Sequence, residues 1–79
     1  MHNEYNMKNK VKEQIGERLK ESRKAAGYTQ AQIAEKMNMT QQQYSRFENG
    51  VFELNYEQII LLCKIYDISA DFLFGLKVF

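Results

Sequence analysis

Seventy-nine residues make room for one small domain, and with 44% hydrophobic and 27% charged residues the composition is that of an ordinary globular chain. A net charge of only +1, no apolar run of about 18 residues and no basic-then-apolar leader set aside a membrane span and a secretory signal and predict a cytoplasmic protein. One cysteine, Cys63, and one histidine, His2, exclude an internal disulfide and a multi-cysteine metal site, so neither a metal nor a cofactor is expected.

Residues 1–10 are polar and without periodicity, which predicts a flexible tail holding His2. From Val11 the apolar positions Val11, Ile15, Leu19 and Ala26 predict a first helix over residues 11–26, with Gly27 as its left-handed stop. Gly16 inside it costs about 1 kcal/mol against alanine, so the helix is expected to begin properly near Gln14. Glu13, Glu17 and Glu21 interleave with Lys20 and Lys24 at helical spacing, the pattern of a solvated face.

Thr29 followed by Gln32, and Thr40 followed by Gln43, are two capping boxes that leave space for only about two helical turns between them. A second helix over residues 30–37 buries Ile33, Ala34 and Met37, Ala34 being small enough for close crossing, and Asn38 closes it in the left-handed region. A third helix over residues 41–49 ends at Gly50. One of its faces carries Gln41, Gln42, Ser45, Arg46 and Asn49 and no carboxylate, whereas Tyr44, Phe47 and Glu48 share the opposite face, with Gln43 at the border. Glutamine, arginine, serine and asparagine hydrogen-bond base edges and phosphates well, and a carboxylate among them would be repelled by phosphate. Capping accounts for Gln43 alone and leaves Gln41 and Gln42 free for contact.

After a loop over residues 51–54, Asn55 with Gln58 opens a fourth helix whose core face is Ile59, Leu62, Cys63 and Tyr66, so Cys63 is expected to be a small core residue. Ser69 caps a short fifth helix, with Asp71 in its first turn suiting the helix dipole. The fold class is all-α: one five-helix domain over residues 11–76 with a short apolar tail, residues 77–79.

Ile15, Leu19, Arg23, the run Gly27-Tyr28-Thr29-Gln30, Ile33-Ala34, Ser45-Arg46-Phe47-Glu48-Asn49-Gly50, and Tyr66-Asp67-Ile68-Ser69-Ala70-Asp71-Phe72-Leu73 follow one another in an order that resembles the phage repressor and Cro family of helix-turn-helix proteins, also called XRE-like. The resemblance runs over residues 15–75 and implies a compact five-helix bundle of the lambda-repressor type, in which helices 2 and 3 form the helix-turn-helix. It implies a sequence-specific transcriptional regulator of double-stranded DNA, a repressor, whose helix 3 lies in the major groove while helix 2 crosses the backbone. Base-reading positions carried over are Gln41, Gln42 and Arg46, with Ser45 beside them; glutamine matches adenine and arginine matches guanine. Phosphates are expected at helix N-termini, with Gln30, Thr29, Asn49 and the backbone N–H groups near Phe52 as contacts, and Thr40 as a cap. The family also pairs an arginine late in helix 1 with a glutamate late in helix 3, positions held here by Arg23 and Glu48. Where the family often has proline before helix 4 this chain has Leu54, which leaves the loop freer.

The charge is unevenly spread: through Arg46 nine basic residues face five acids, and from Phe47 onward two face five, so a net +4 precedes a net −3. A molecule polarised in that way presents its positive part to phosphates. Proteins of this class usually bind pseudo-palindromic operators as homodimers. Phe72, Leu73, Phe74, Leu76, Val78 and Phe79 exceed what a small core buries, which makes Phe74, Leu76, Val78 and Phe79 interface candidates; the alternative is that Phe72 and Leu73 complete the core and the last residues fold back. No small-molecule ligand or membrane partner is evident. Two rivals stand beside this: a protein-binding regulator, antitoxin or antirepressor, reusing the fold, and an enzyme. No paired acids, folded-region histidine or phosphate-cradling glycine loop supports the latter.

Overall fold

The computed structural model describes residues 4–77, with side chains from Lys10 onward. The described residues form five helices and no strand: α1 (Glu4–Ala25), α2 (Gln30–Lys36), α3 (Gln41–Glu48), α4 (Tyr56–Tyr66) and α5 (Ala70–Leu73). α1 packs against α3 and α5, α2 against α3, and α4 against α5. Their shared core is Leu19, Ile33, Ala34, Tyr44, Phe47, Leu62, Tyr66 and Leu73, with Ile15, Met37, Leu54, Ile59 and Cys63 packed around it. Fully burying a leucine- or isoleucine-sized side chain contributes about 1.5–3 kcal/mol, so this shared core holds short helices that would not persist alone.

The first helix is longer than expected. It starts at Glu4 rather than near Val11 or Gln14, so residues 4–10 of the expected tail are helical, and only residues 1–3, including His2, lie outside the described residues. Extending an existing helix costs far less than starting one, and the segment 4–10 has neither glycine nor proline to stop it. Val11 within the helix and Ala26 just past its end are both exposed, so the apolar stripe of α1 narrows to Ile15 and Leu19.

Gly16 has the opposite meaning from a helix weakener. It is buried, and a Cβ there would lie 2.4 Å from the carbonyl oxygen of Glu48 and 2.7 Å from that of Phe47. α1 and α3 therefore cross backbone against backbone, and only glycine permits it.

All five helices stop in the same way. A residue of positive φ (Gly27, Asn38, Gly50, Asp67, Gly75) is followed by one whose N–H donates to a carbonyl five residues back: Tyr28 to Arg23, Met39 to Ala34, Val51 to Arg46, Ile68 to Cys63 and Leu76 to Asp71. This is the Schellman arrangement, which satisfies helix-end carbonyls and reverses the chain tightly. The starts are as regular: Thr29, Thr40 and Asn55 make reciprocal capping boxes with Gln32, Gln43 and Gln58, and Ser69 accepts from the Phe72 N–H. Each cap stabilises its helix by about 0.5–2 kcal/mol.

Candidate nucleic-acid interface

Two caps and two Schellman stops leave α2 and α3 seven and eight residues long, joined by the turn 37–40. Tyr44 and Phe47 are buried on the inner side of α3, which turns the other side outward. On that outer side Gln41, Gln42 and Asn49 are exposed, and Ser45 and Arg46 are half-buried. The Asn49 side-chain amide donates to the Ser45 hydroxyl at 3.2 Å, so these two act as one polar unit at the C-terminal end of the face.

The one carboxylate of α3 is turned inward. Glu48 is 5% exposed; its Oε2 accepts from Arg23 Nε at 2.7 Å, and its Oε1 accepts from an Arg23 terminal nitrogen at 3.1 Å and from the Gln30 amide at 2.9 Å. The remaining Arg23 nitrogen donates to the Tyr28 carbonyl at 2.9 Å. Burial alone would raise the Glu48 pKa, but the hydrogen bonds from Arg23, Tyr44 and Gln30 outweigh it and hold the group below the ordinary carboxylate value. The Glu48 hydrogen bond likewise outweighs desolvation and raises Arg23. Arg23 ties α1 to α3, and Gln30 ties the start of α2 to the end of α3. The outward face of α3 is thereby set in angle by a charged pair whose bidentate geometry fixes direction as well as distance.

Beneath this pair the hydroxyls of Tyr44 and Tyr66 share a buried hydrogen bond that joins α3 to α4. Burial, then the bond to Tyr66, raises Tyr44 far above its usual value, and burial pushes Tyr66 up to about 12. Periodicity assigned both tyrosines to the core; it carried no signal that their hydroxyls would meet, because that depends on how α3 crosses α4.

The expected phosphate contacts fall at different places. Thr29 is exposed at the start of α2, its hydroxyl accepting from the Gln32 N–H at 3.1 Å and its own N–H engaged by the Gln32 side chain at 2.8 Å. Gln30 is half-buried, and its side-chain amide donates to Glu48. The Phe52 N–H donates to the Arg46 carbonyl at 3.3 Å, which it shares with the Val51 N–H at 2.9 Å. What Phe52 presents outward is its ring, 45% exposed, with the Arg46 guanidinium carbon over it at 5.3 Å from the centroid. The loop is pinned rather than free: Leu54 packs on the core, and a Cβ on Gly50 would come within 2.9 Å of the Glu13 backbone.

Among the interface candidates Phe74 and Leu76 are exposed, and Val78 and Phe79 lie outside the described residues. Phe72 is half-buried and Leu73 fully buried. Tyr56 and Ile60 on α4 are also exposed; neither belongs to the helix's core face of Ile59, Leu62, Cys63 and Tyr66, and neither was among the interface candidates. Cys63 is half-buried and its thiol is raised by desolvation, as suits a packing residue. An open, mostly apolar groove of about 650 Å³ lies between the end of α1 and α5, lined by Ser22, Ala26, Ile68 and Phe72, and shares no residue with α2 or α3. Among the described residues no group of three or more His, Cys, Asp or Glu is placed to hold a metal, and no helix is long and apolar enough to cross a membrane.

A helix-turn-helix family model matches residues 19–73. The chain is similar to the HTH-type transcriptional regulator ImmR of Bacillus subtilis (strain 168), 38% identical over 61 residues that cover 77% of this chain and 48% of that protein. It is similar to the SPbeta prophage-derived uncharacterized HTH-type transcriptional regulator YonR of the same organism, 38% identical over 59 residues, 75% of this chain and 55% of that one. A third relative there, the uncharacterized HTH-type transcriptional regulator YqaE, is 37% identical over 59 residues, 75% of this chain and 51% of its own. The chain spans about half the length of the curated relatives it matches.

Proposed function

The chain belongs to the helix-turn-helix family, and from that premise we propose that it is a sequence-specific, double-stranded-DNA-binding transcriptional regulator, a repressor acting in the cytoplasm and not an enzyme. The observation that carries this is the division of α3: its amide and guanidinium groups face outward together, while its only carboxylate is buried and neutralised by Arg23. A surface helix built for solubility alone mixes charges of both signs. This one is cleared of negative charge where a phosphate-lined groove would receive it.

In this reading α3 enters the major groove. Gln41 and Gln42 offer adjacent donor and acceptor to adenine, Arg46 forks onto guanine, and Ser45 fills the space between. Thr29, Gln30, Asn49 and the 50–52 loop lie toward the backbone, where contacts set register without carrying sequence. A homodimer, with Phe74 and Leu76 among its apolar surfaces and Val78 and Phe79 as further candidates, would match two half-sites about one helical turn apart.

Selection of bound duplexes from a random pool, followed by titration at two salt concentrations, tests the proposal. Enrichment of a pseudo-palindrome, with log affinity falling by about 0.9 per phosphate contact for each decade of salt, supports it. A pool that stays random while the chain captures a protein partner at the same α3 face would instead favour the protein-binding alternative.

A further inference from the structure

We propose that Phe52 is a positioning residue for Arg46: its ring holds the guanidinium flat so that the edge of the group, and not its face, meets the base. The proposal rests on the reading of α3 as a base-reading helix and concerns a residue whose only expected role was a backbone contact to phosphate.

Phe52 is a large apolar ring left 45% exposed beside a polar face, while Leu54, two residues on, packs on the core. The exposure has a structural cause. Gly50, at φ +72 and with no room for a Cβ against Glu13, turns the chain back over α3, and the carbonyl of Arg46 then accepts from both Val51 and Phe52. Arg46 and the ring that its guanidinium lies over are thus tied through the backbone. The ring is also held from behind: it meets Phe47 edge-on at 6.4 Å and 67°, and Phe47 meets the buried Tyr44 at 6.5 Å and 71°. A row of three rings runs from the core to the underside of Arg46, whose guanidinium carbon sits 5.3 Å from the Phe52 centroid.

A guanidinium interacts in two separable ways. Its face is attracted to a π-system, and its rim carries the parallel N–H groups that reach O6 and N7 of guanine. The guanidinium carbon lies over the Phe52 ring, and a guanidinium that turns one face to that ring keeps its rim free, so the two interactions are compatible in a single conformation. Without the ring, Arg46 is a long flexible side chain that must be ordered at the moment of binding, and the nearest phosphate competes for it at no cost in geometry. Phosphate contact carries no sequence information, so the loss falls on preference more than on affinity for duplexes in general.

The test takes a duplex selected by the wild-type chain and a panel with each base pair of one half-site changed singly. Arg46→Ala identifies the base pair that Arg46 reads. Phe52→Ala is expected to lower discrimination at that same pair by about 2- to 5-fold, the range of an exposed cation–π contact, and to leave the other pairs alone. Phe52→Tyr, which keeps the π-face, is expected to restore it; Phe52→Leu, which keeps apolar packing against Phe47, is not. With Arg46 already alanine, Phe52→Ala is expected to change nothing further. In the free protein, the upfield ring-current shift of the Arg46 side-chain protons should vanish in Phe52→Ala and return in Phe52→Tyr.

Unchanged discrimination in Phe52→Ala, rescue by leucine as full as by tyrosine, or an added loss on the Arg46→Ala background overturns the proposal while leaving DNA reading by α3 intact. A wild-type chain that selects no duplex overturns both.

Discussion

Arg23 is where the residue scale and the proposed function meet, because one guanidinium both neutralises the carboxylate of α3 and fixes that helix in place. A buried pair of this kind orients more than it stabilises, yet removing one partner strands the other and costs about 3–5 kcal/mol. Arg23→Ala is therefore expected to lower thermal stability by that order and to weaken DNA binding with it; a variant unchanged in both would show that the pair sets nothing. The pH dependence has a definite sign. Glu48 is lowered from 4.5, so its contribution is complete above that value and is lost as pH falls through the folded-state pKa. The melting difference between the wild type and Glu48→Gln is thus expected to be large near neutrality and to shrink below pH 4.5. Tyr44 and Tyr66 act at the other end. Both are raised from 10.0, Tyr66 to about 12, so their contribution is complete below pH 10 and is lost as pH climbs beyond it. The Arg23–Glu48 pairing was legible only through family resemblance, since two charges 25 positions apart, with α2 and most of α3 between them, carry no signal of their own. The outward polar face of α3 was legible directly, because the spacing of Tyr44 and Phe47 decides which side is left for Gln41, Gln42 and Arg46.

At the scale of elements, the caps and stops wrote themselves plainly into the sequence. Thr29, Thr40, Asn55 and Ser69 act as the local chemistry of threonine, asparagine and serine requires, and Gly27, Asn38 and Gly50 end their helices as expected. Asp67 carries no such signal, being an aspartate in the left-handed region where glycine or asparagine is the usual sign. Gly16 departs from its propensity for a deeper reason. Propensity is a property of one helix, whereas the need for glycine there comes from Glu48 and Phe47 on another, more than thirty residues away. The two views make opposite predictions for Gly16→Ala. Propensity alone gives a gain of about 1 kcal/mol, whereas overpacking against backbone carbonyls gives a loss of about 1–3 kcal/mol. Denaturant unfolding is expected to show the loss, accompanied by shifted amide resonances along α3; a stabilised variant would mean that the α1–α3 crossing has slack.

For the whole molecule, the uneven charge, the short α2–α3 unit and the exposed apolar residues bear on how two copies meet a duplex. Sedimentation over a range of concentrations should show self-association that is weakened by Leu76→Ser; if association is untouched, Phe74 and Leu76 are not the contact and the exposed Tyr56 and Ile60 of α4 become the surface to vary. Fold class and element order were readable because nearly all of the elements here are set by local signals. The height at which α1 begins and the surface that pairs copies were not, because neither is fixed by a short-range rule. The central claim is that the outward side chains of α3 distinguish bases, and a panel of singly substituted duplexes titrated with Gln42→Ala, Arg46→Ala and Gln30→Ala tests it most directly. Gln42→Ala and Arg46→Ala should each relax preference at a different base pair, and Gln30→Ala should weaken every duplex alike. Uniform weakening by all three, or no complex with any duplex at low salt, would contradict it.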